Sequence, residues 1–306
     1  MKKVINLLVI VGIVLLATGI SEAKAPGKSG ATFLKIGMGA RVVALGGNYV
    51  GLADDINAIY WNPAGLTNIE KKEFLFQYLK PFAKVDNLGC QYLAMCIPNA
   101  GLINNLSVGG NITYYGYGKT NKYDEKGDLQ GQWDASDFAF TITGAKEVKE
   151  NLSVGMNGKI IRQMIDDKKG ISCAIDIGML SLLSPNMSYG VVLQNLGTGI
   201  KLNKEKSSLP MKLKAGIAYN VDVIPMIILS DVVIPNDNDP YIGLGIEYNL
   251  LGVTLRAGYN SNKAKEGIER LSAGFGVGYK TYSFDYAYQD TKELGISHYI
   301  SFIVKF

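Results

Sequence analysis

From Lys72 to the C-terminus, apolar side chains recur at every second position. Leu106, Val108, Ile112 and Tyr114 alternate with Ser107, Gly109, Asn111 and Thr113, and Leu152, Val154, Met156 and Ile160 alternate with Ser153, Gly155, Asn157 and Lys159. The rule repeats in Leu271, Ala273, Phe275, Val277 and Tyr279, and again in Phe284, Tyr286 and Tyr288. Successive side chains of a strand point to opposite faces, so each run has one face suited to lipid and one suited to a lumen. Counting such runs predicts about 14 strands. They start near Lys72, Leu88, Asn104, Trp133, Leu152, Gly170, Met187, Pro210, Met226, Tyr241, Val253, Glu269, Tyr282 and Leu294. In the second and ninth, both faces are apolar.

An even number of antiparallel strands can close into a transmembrane barrel with short turns on one side and longer loops on the other. The connections follow that parity. Residues 119–132, 194–210, 235–240 and 260–269 are long and polar, whereas 147–151, 184–186, 249–252 and 280–281 are short. The same parity predicts both chain ends on the short-turn, periplasmic side. NLSVGGN at Asn105 and NLSVGMN at Asn151 each open a strand, a spacing that fits a meander. The chain ends on Phe306, with Val304, Phe302 and Ile300 alternating back from it. A terminal aromatic on an alternating strand looks like the signal read by the outer-membrane insertion machinery.

The first residues read as an export signal. Lys2 and Lys3 precede an apolar stretch from Val4 to Ala17 and a small-residue site at Ser21-Glu22-Ala23, and cleavage after Ala23 or Ala25 fits equally. With 47% hydrophobic and 19% charged residues the chain is apolar for a soluble domain. Yet beyond this signal no apolar run reaches the ~18 residues of a spanning helix. The longest, residues 223–234, is interrupted by Pro225 and Asp231. An exported, apolar chain of this kind fits a barrel whose backbone groups are satisfied by strand pairing. The formal charge of +4 is spread over loops of both signs, and no basic face suggests nucleic acid. Cys90 and Cys96 share one strand and stand too far apart to bond, so these and Cys173 read as small wall residues.

Residues 31–66 break the period. Glycines at 37, 39, 46, 47, 51 and 65 allow only short helical turns joined by bends in which Gly takes positive φ. Asp54 or Asp55 is a suitable N-cap for the turn carrying Ile56, Ile59 and Tyr60, and Asn62 before Pro63 can cap a further short helix. The stretches FLKIG, GAR, LGGNYVGLADD and NAIYWNPAGL resemble the N-terminal segment of the PorV/PorQ family of bacterial outer-membrane proteins, within the FadL-like group of long-chain fatty acid transporters. The resemblance implies a plug in the barrel lumen, with Gly46, Gly47, Trp61, Asn62, Pro63, Ala64 and Gly65 as its motif. It also implies passive uptake of a small hydrophobic molecule or, on the PorV side, an accessory role in type IX secretion with a secreted protein or translocon as partner.

The expected organisation is therefore all-β: an export signal at 1–23, a plug of short helices at 24–70, and an antiparallel meander barrel at 71–306. Arg41, Asp54 and Asp55 are candidates for a polar latch between plug and wall, or for a helix cap with a salt bridge. Leu180, Val192, Leu229 and Val233 place apolar side chains on predicted lumen faces, which suits a hydrophobic ligand or packing on the plug. No cofactor or metal is expected. Gly27-Lys28-Ser29 lacks the earlier Gly of a phosphate loop, and Gly37-Met38-Gly39 lacks the third Gly of a dinucleotide fingerprint. Asp237 to Asp239 and Asp166-Asp167 lack calcium-loop spacing and read as solvated turns. His298, the single histidine, lies on the strand face of Ile300 and Phe302, and no nucleophile motif accompanies it, so an enzyme is not expected.

Overall fold

A computed structural model describes residues 29–81, 87–101, 105–203, 205–261, 271–290 and 295–306. The expected export signal, the first residues of the expected plug and most of the 260–269 connection lie outside the described residues. The first strands are β1 (Glu73–Lys80), β2 (Gly89–Ile97), β3 (Leu106–Tyr123), β4 (Leu129–Lys149), β5 (Leu152–Ile165), β6 (Lys168–Ser184) and β7 (Met187–Gly197). A small hairpin, β8 (Ile200–Leu202) and β9 (Glu205–Ser207), follows. The rest are β10 (Lys212–Val221), β11 (Met226–Pro235), β12 (Tyr241–Leu250), β13 (Val253–Asn260), β14 (Leu271–Tyr279), β15 (Tyr282–Asp290) and β16 (Ile296–Lys305).

All of these but β8 and β9 form one closed antiparallel barrel of fourteen strands in meander order. Closure is made by β1 on β16, with Glu73 opposite Lys305 and Phe76 opposite Phe302. A closed sheet leaves no unpaired edge. The alternation is legible in burial: Phe74, Phe76 and Tyr78 of β1 point outward while Glu73, Leu75, Gln77 and Leu79 are buried. Leu244 and Ile246, Phe275 and Val277, and Ile300 and Phe302 continue the outward face round the barrel. Such a contiguous apolar belt far exceeds the patches that water-exposed monomers carry.

Two predicted loops are strand instead. β3 runs on to Tyr123 and β4 begins at Leu129, so residues 119–132 form an exposed hairpin closed by Asp124, whose carboxylate accepts the Lys126 and Asp128 N–H groups at 2.9 Å. Both faces of this extension are polar and solvated. The pairing is carried by the backbone, and the period-two signal vanishes. Residues 194–210 likewise contain the end of β7 and the β8–β9 hairpin.

The N-terminal segment is a chain of short turns. It has 3-10 helices at Thr32–Lys35 and Pro63–Asn68 and α-helices at Ala40–Ala44 and Ala58–Trp61. Phe33, Tyr49, Ile56, Ile59 and Leu66 are fully buried in one apolar cluster with the inward Leu75, Leu79 and Leu229 of the wall. Of the glycines expected at positive φ, Gly39, Gly46 and Gly47 have it, at 84°, 71° and 76°. Gly37, Gly51 and Gly65 do not, and close approach explains them instead. A Cβ on Gly51 would lie 2.7 Å from the Ile217 carbonyl carbon, and one on Gly65 would meet the Ala53 backbone.

The N-terminal chain end lies outside the described residues, and the first described residues sit at the rim opposite Phe306. Gly30 donates its N–H to Ser208 at 2.9 Å, and Lys35 pairs with Asp237 at 2.6 Å. Both partners lie in connections at the far rim. Phe306 pairs with Lys72 at the near rim, where β1 begins. The segment thus runs through the interior from far rim to near rim before β1 starts.

Candidate functional site

The inward wall offers the segment polar side chains rather than a uniformly apolar lining. Gln77 of β1 accepts the Gly39 N–H, and Ser301 of β16 accepts the Ala40 N–H at 2.9 Å, so the barrel seam holds the start of the Ala40–Ala44 helix. Asp231 of β11 accepts the N–H groups of Tyr49 and Val50 at 3.0 and 3.2 Å. Asn157 of β5 donates to the Ile59 carbonyl at 2.9 Å, and Gln194 of β7 donates to those of Tyr60 and Trp61 at 2.8 and 3.2 Å. A segment without long helices has many backbone groups that no neighbour in sequence satisfies, and these wall side chains pair them.

The expected motif residues are brought together. Asn62 is fully buried. Its amide donates to Val50 O at 2.9 Å and to Met179 O of β6 at 3.1 Å, while its Oδ1 accepts the Ala64 N–H at 3.3 Å. Pro63 therefore opens its short helix with Asn62 as cap, as the spacing predicts. Trp61 donates from Nε1 to Met38 O at 2.7 Å. Ala64 and Pro63 lie over Gly155 of β5, where any Cβ would collide with their backbone. Gly46 rests on Gly258 and Tyr259 of β13, and Gly47 faces the Trp61 ring.

Arg41, Asp54 and Asp55 also meet. The Arg41 guanidinium lies 2.8 Å from Asp54, 2.7 Å from Asp55 and 2.8 Å from Glu247 of β12. Glu247 in turn pairs with Arg256 of β13 at 2.6 Å, and Arg256 with Asp285 of β15 at 2.7 Å. Between β13 and β15 stands Gly276, where a Cβ would lie 2.6 Å from Arg256 Nη1, so the ion pair needs the absent side chain. Burial opposes ionisation of Asp55, but the Arg41 charge and hydrogen bonds outweigh it and hold the carboxyl below the usual aspartate range. Asp55 accepts both the backbone N–H and the side-chain amide of Asn57 at 2.8 Å, one residue before the Ala58–Trp61 helix, whose own N-cap Asn57 makes no side-chain capping bond to the helix.

Leu180, Val192, Leu229 and Val233 are all buried on the inner face. Leu180 and Leu229 belong to the apolar cluster of the segment. Val192 and Val233 flank Lys214 on the neighbouring strands, and the Lys214 ammonium lies 4.3 Å from the centre of the Trp61 ring. His298 points outward and lies 2.7 Å from the Tyr286 hydroxyl, away from these interior groups. Asp237 is not a solvated turn. It is buried at the far rim against Ser29 and Lys35. Phe302 and Phe306 are exposed on the outward face, with Val304 between them.

Of the wall partners Gln77, Asp231, Glu247, Arg256 and Asp285, two had a signal of their own. Glu247 and Arg256 are opposite charges on the polar faces of adjacent strands and stand directly opposite each other in the register.

No protein-family model matches the chain, and no curated protein sequence matches it. Solved structures do. The CymD monoaromatic hydrocarbon channel superimposes with a TM-score of 0.65 at 14% identity, over 88% of this chain and 98% of that one. The Pseudomonas putida toluene transporter TodX gives 0.65 at 11%, over 88% and 99%. A Pseudomonas aeruginosa FadL homologue gives 0.58 at 11%, over 88% and 98%. At these identities the likeness is one of fold, and this chain has the fold of the FadL-like barrels.

Proposed function

We propose that this chain is an outer-membrane barrel that admits or holds a small hydrophobic molecule, with the N-terminal segment acting as a plug in the lumen. The observation that supports it most is the pairing of an apolar outer belt with an interior filled by a segment of short turns, in the fold shared with hydrocarbon channels. A closed barrel satisfies its backbone internally, and its outward face suits hydrocarbon. Phe306 would serve the insertion machinery. Arg41, with Asp54 and Asp55, would latch the plug to Glu247, and Leu180, Val192, Leu229 and Val233 would line the ligand's path. Within this proposal, the N-terminal motifs are read as those of the PorV/PorQ branch.

The test is native purification in mild detergent followed by mass spectrometry of bound small molecules. A stoichiometric hydrophobic molecule, lost when Gly65→Val disturbs the Pro63 turn, is the expected result. An empty lumen in the unaltered protein, with no uptake of such molecules by cells, overturns it.

One observation favours a second reading, the secretion accessory. The β3–β4 hairpin projects past the other strands, with its polar tip from Thr120 to Gln132 exposed, and offers a surface on which a cargo protein could dock. A secreted protein or translocon component that co-purifies, and is lost when this hairpin is shortened, would establish that reading.

A further inference from the structure

At the near rim, on the inner side of β10 to β13, the barrel contains a cavity of about 300 Å³. Ile224 and Pro225 line it from the β10–β11 turn, and Ile227, Asn249 and Thr254 from the strands. Glu247 forms its deeper end. That carboxylate accepts from Arg41 Nη2 at 2.8 Å and from Arg256 Nε at 2.6 Å, so both sides of its charge are engaged. It therefore presents no free anion to whatever enters the cavity, and Val221, Ile224, Pro225, Met226 and Ile227 supply apolar walls beside the neutral polar side chains of Asn220, Asn249 and Thr254. An apolar cavity of about 150 Å³ already holds a benzene ring. The space here accommodates a molecule of that class.

The rim outside the cavity is apolar as well. Val223, at the tip of the β10–β11 turn, is 89% exposed, and Leu251, at the tip of the neighbouring β12–β13 turn, is 97% exposed. Short turns normally carry polar tips. These two apolar tips stand on the turns next to the cavity, at the rim from which a molecule leaving it would pass.

We infer that this cavity is a second ligand site, the last station of a small neutral apolar molecule before it leaves the near rim, with the Arg41–Glu247 pair closing its inner end. The inference rests on the uptake reading above and adds to it where the ligand departs. Entry from the interior requires Arg41 to release Glu247. Exit requires only the gap between the two turns.

The experiment uses crystals of the full chain soaked with bromobenzene, together with toluene uptake by cells producing the protein. The expected result is an anomalous bromine peak beside Ile224 and Thr254. Thr254→Trp and Asn249→Trp, each verified as folded by its heat-dependent gel mobility, should fill the cavity, remove the peak and reduce uptake to the level of cells lacking the protein. Bromine elsewhere inside the barrel but not in this cavity, or undiminished uptake through the folded variants, overturns the exit site and leaves hydrophobic uptake standing. Absence of bromine anywhere inside the barrel, with no uptake by the unaltered protein, overturns the uptake reading and this inference together. The soak of the unaltered chain decides the matter even where a tryptophan variant fails to fold.

Discussion

The wall and the segment it encloses are held by different physics. The wall satisfies its backbone through neighbouring strands, and each residue's role follows from its parity. The segment, with four short helices between Thr32 and Asn68, satisfies much of its backbone through side chains of the wall. A substitution on the wall's outer face is felt by one or two neighbours. A substitution at the contact between the two parts is felt by a set of buried polar groups that have no water to fall back on.

The sharpest way to break this contrast is Arg41→Ala. It leaves Asp54, Asp55 and Glu247 facing one another around an empty site, and removal of one member of a buried ion pair costs about 3–5 kcal/mol. The barrel keeps its own hydrogen bonds. The expected outcome is therefore a segment that becomes open to protease while the barrel retains its folded, heat-modifiable gel mobility. If both fail together, the two parts are a single cooperative unit and the contrast collapses.

A matched pair of glycines on neighbouring strands isolates packing from charge. A Cβ on Gly258 would overlap the backbone of Leu45 and Gly46, whereas one on Gly278 of β14 meets nothing within 4 Å. Overpacking of this kind costs about 1–3 kcal/mol. Gly258→Ala should thus raise hydrogen exchange in residues 41–50, and Gly278→Ala should leave it unchanged. Equal behaviour would mean that the segment does not press on β13.

Asn62→Ala comes next. It removes donors to Val50 O and Met179 O and the cap of Ala64, and leaves those groups buried without partners. The expected cost is about 2 kcal/mol, read as a lower midpoint for exposure of Trp61 in a denaturant series followed by its fluorescence. Asn62→Asp should recover the cap but not the two donated bonds.

The same contrast decides what could be read from the sequence. Strand order, parity and most strand starts followed from alternation, because Ser107, Asn111 and Thr113 are buried where Ile112 and Tyr114 are exposed. The β3–β4 extension was illegible because a strand solvated on both faces carries no alternation. Within the segment, Asn62-Pro63 could be read because a cap and its proline are local. Arg41, Asp54 and Asp55 could be grouped as charges, but Glu247 is 206 residues from Arg41, and only the closed barrel brings it there. Gly155, Gly190 and Gly258 looked like ordinary strand glycines. Their role is to let the segment's backbone touch the wall, and nothing in their own neighbourhood announces it.

The smallest effect is expected at the far-rim tether, where the segment meets a loop instead of a strand. Burial opposes ionisation of Asp237, yet Lys35 and the Ser29 hydroxyl outweigh it and hold the carboxyl below the ordinary aspartate range. An aspartate depressed in the folded state stabilises it at every pH above the unfolded value of about 3.9, and that stabilisation fades as pH falls through the lower folded value. Hydrogen exchange at residues 30–36 should therefore be flat from neutral to mildly acidic pH after correction for intrinsic rates, and should rise only below about pH 4. Lys35→Met removes the charge that opposes burial, so the folded value of Asp237 rises towards the unfolded one and the acid-induced rise in exchange shrinks. The Arg41 cluster sits at the opposite end of the segment and does not share this tether, so residues 41–50 should be unaffected by Lys35→Met. Loss of protection along the whole segment would show that the far-rim contact holds it in place and that the wall contacts merely follow.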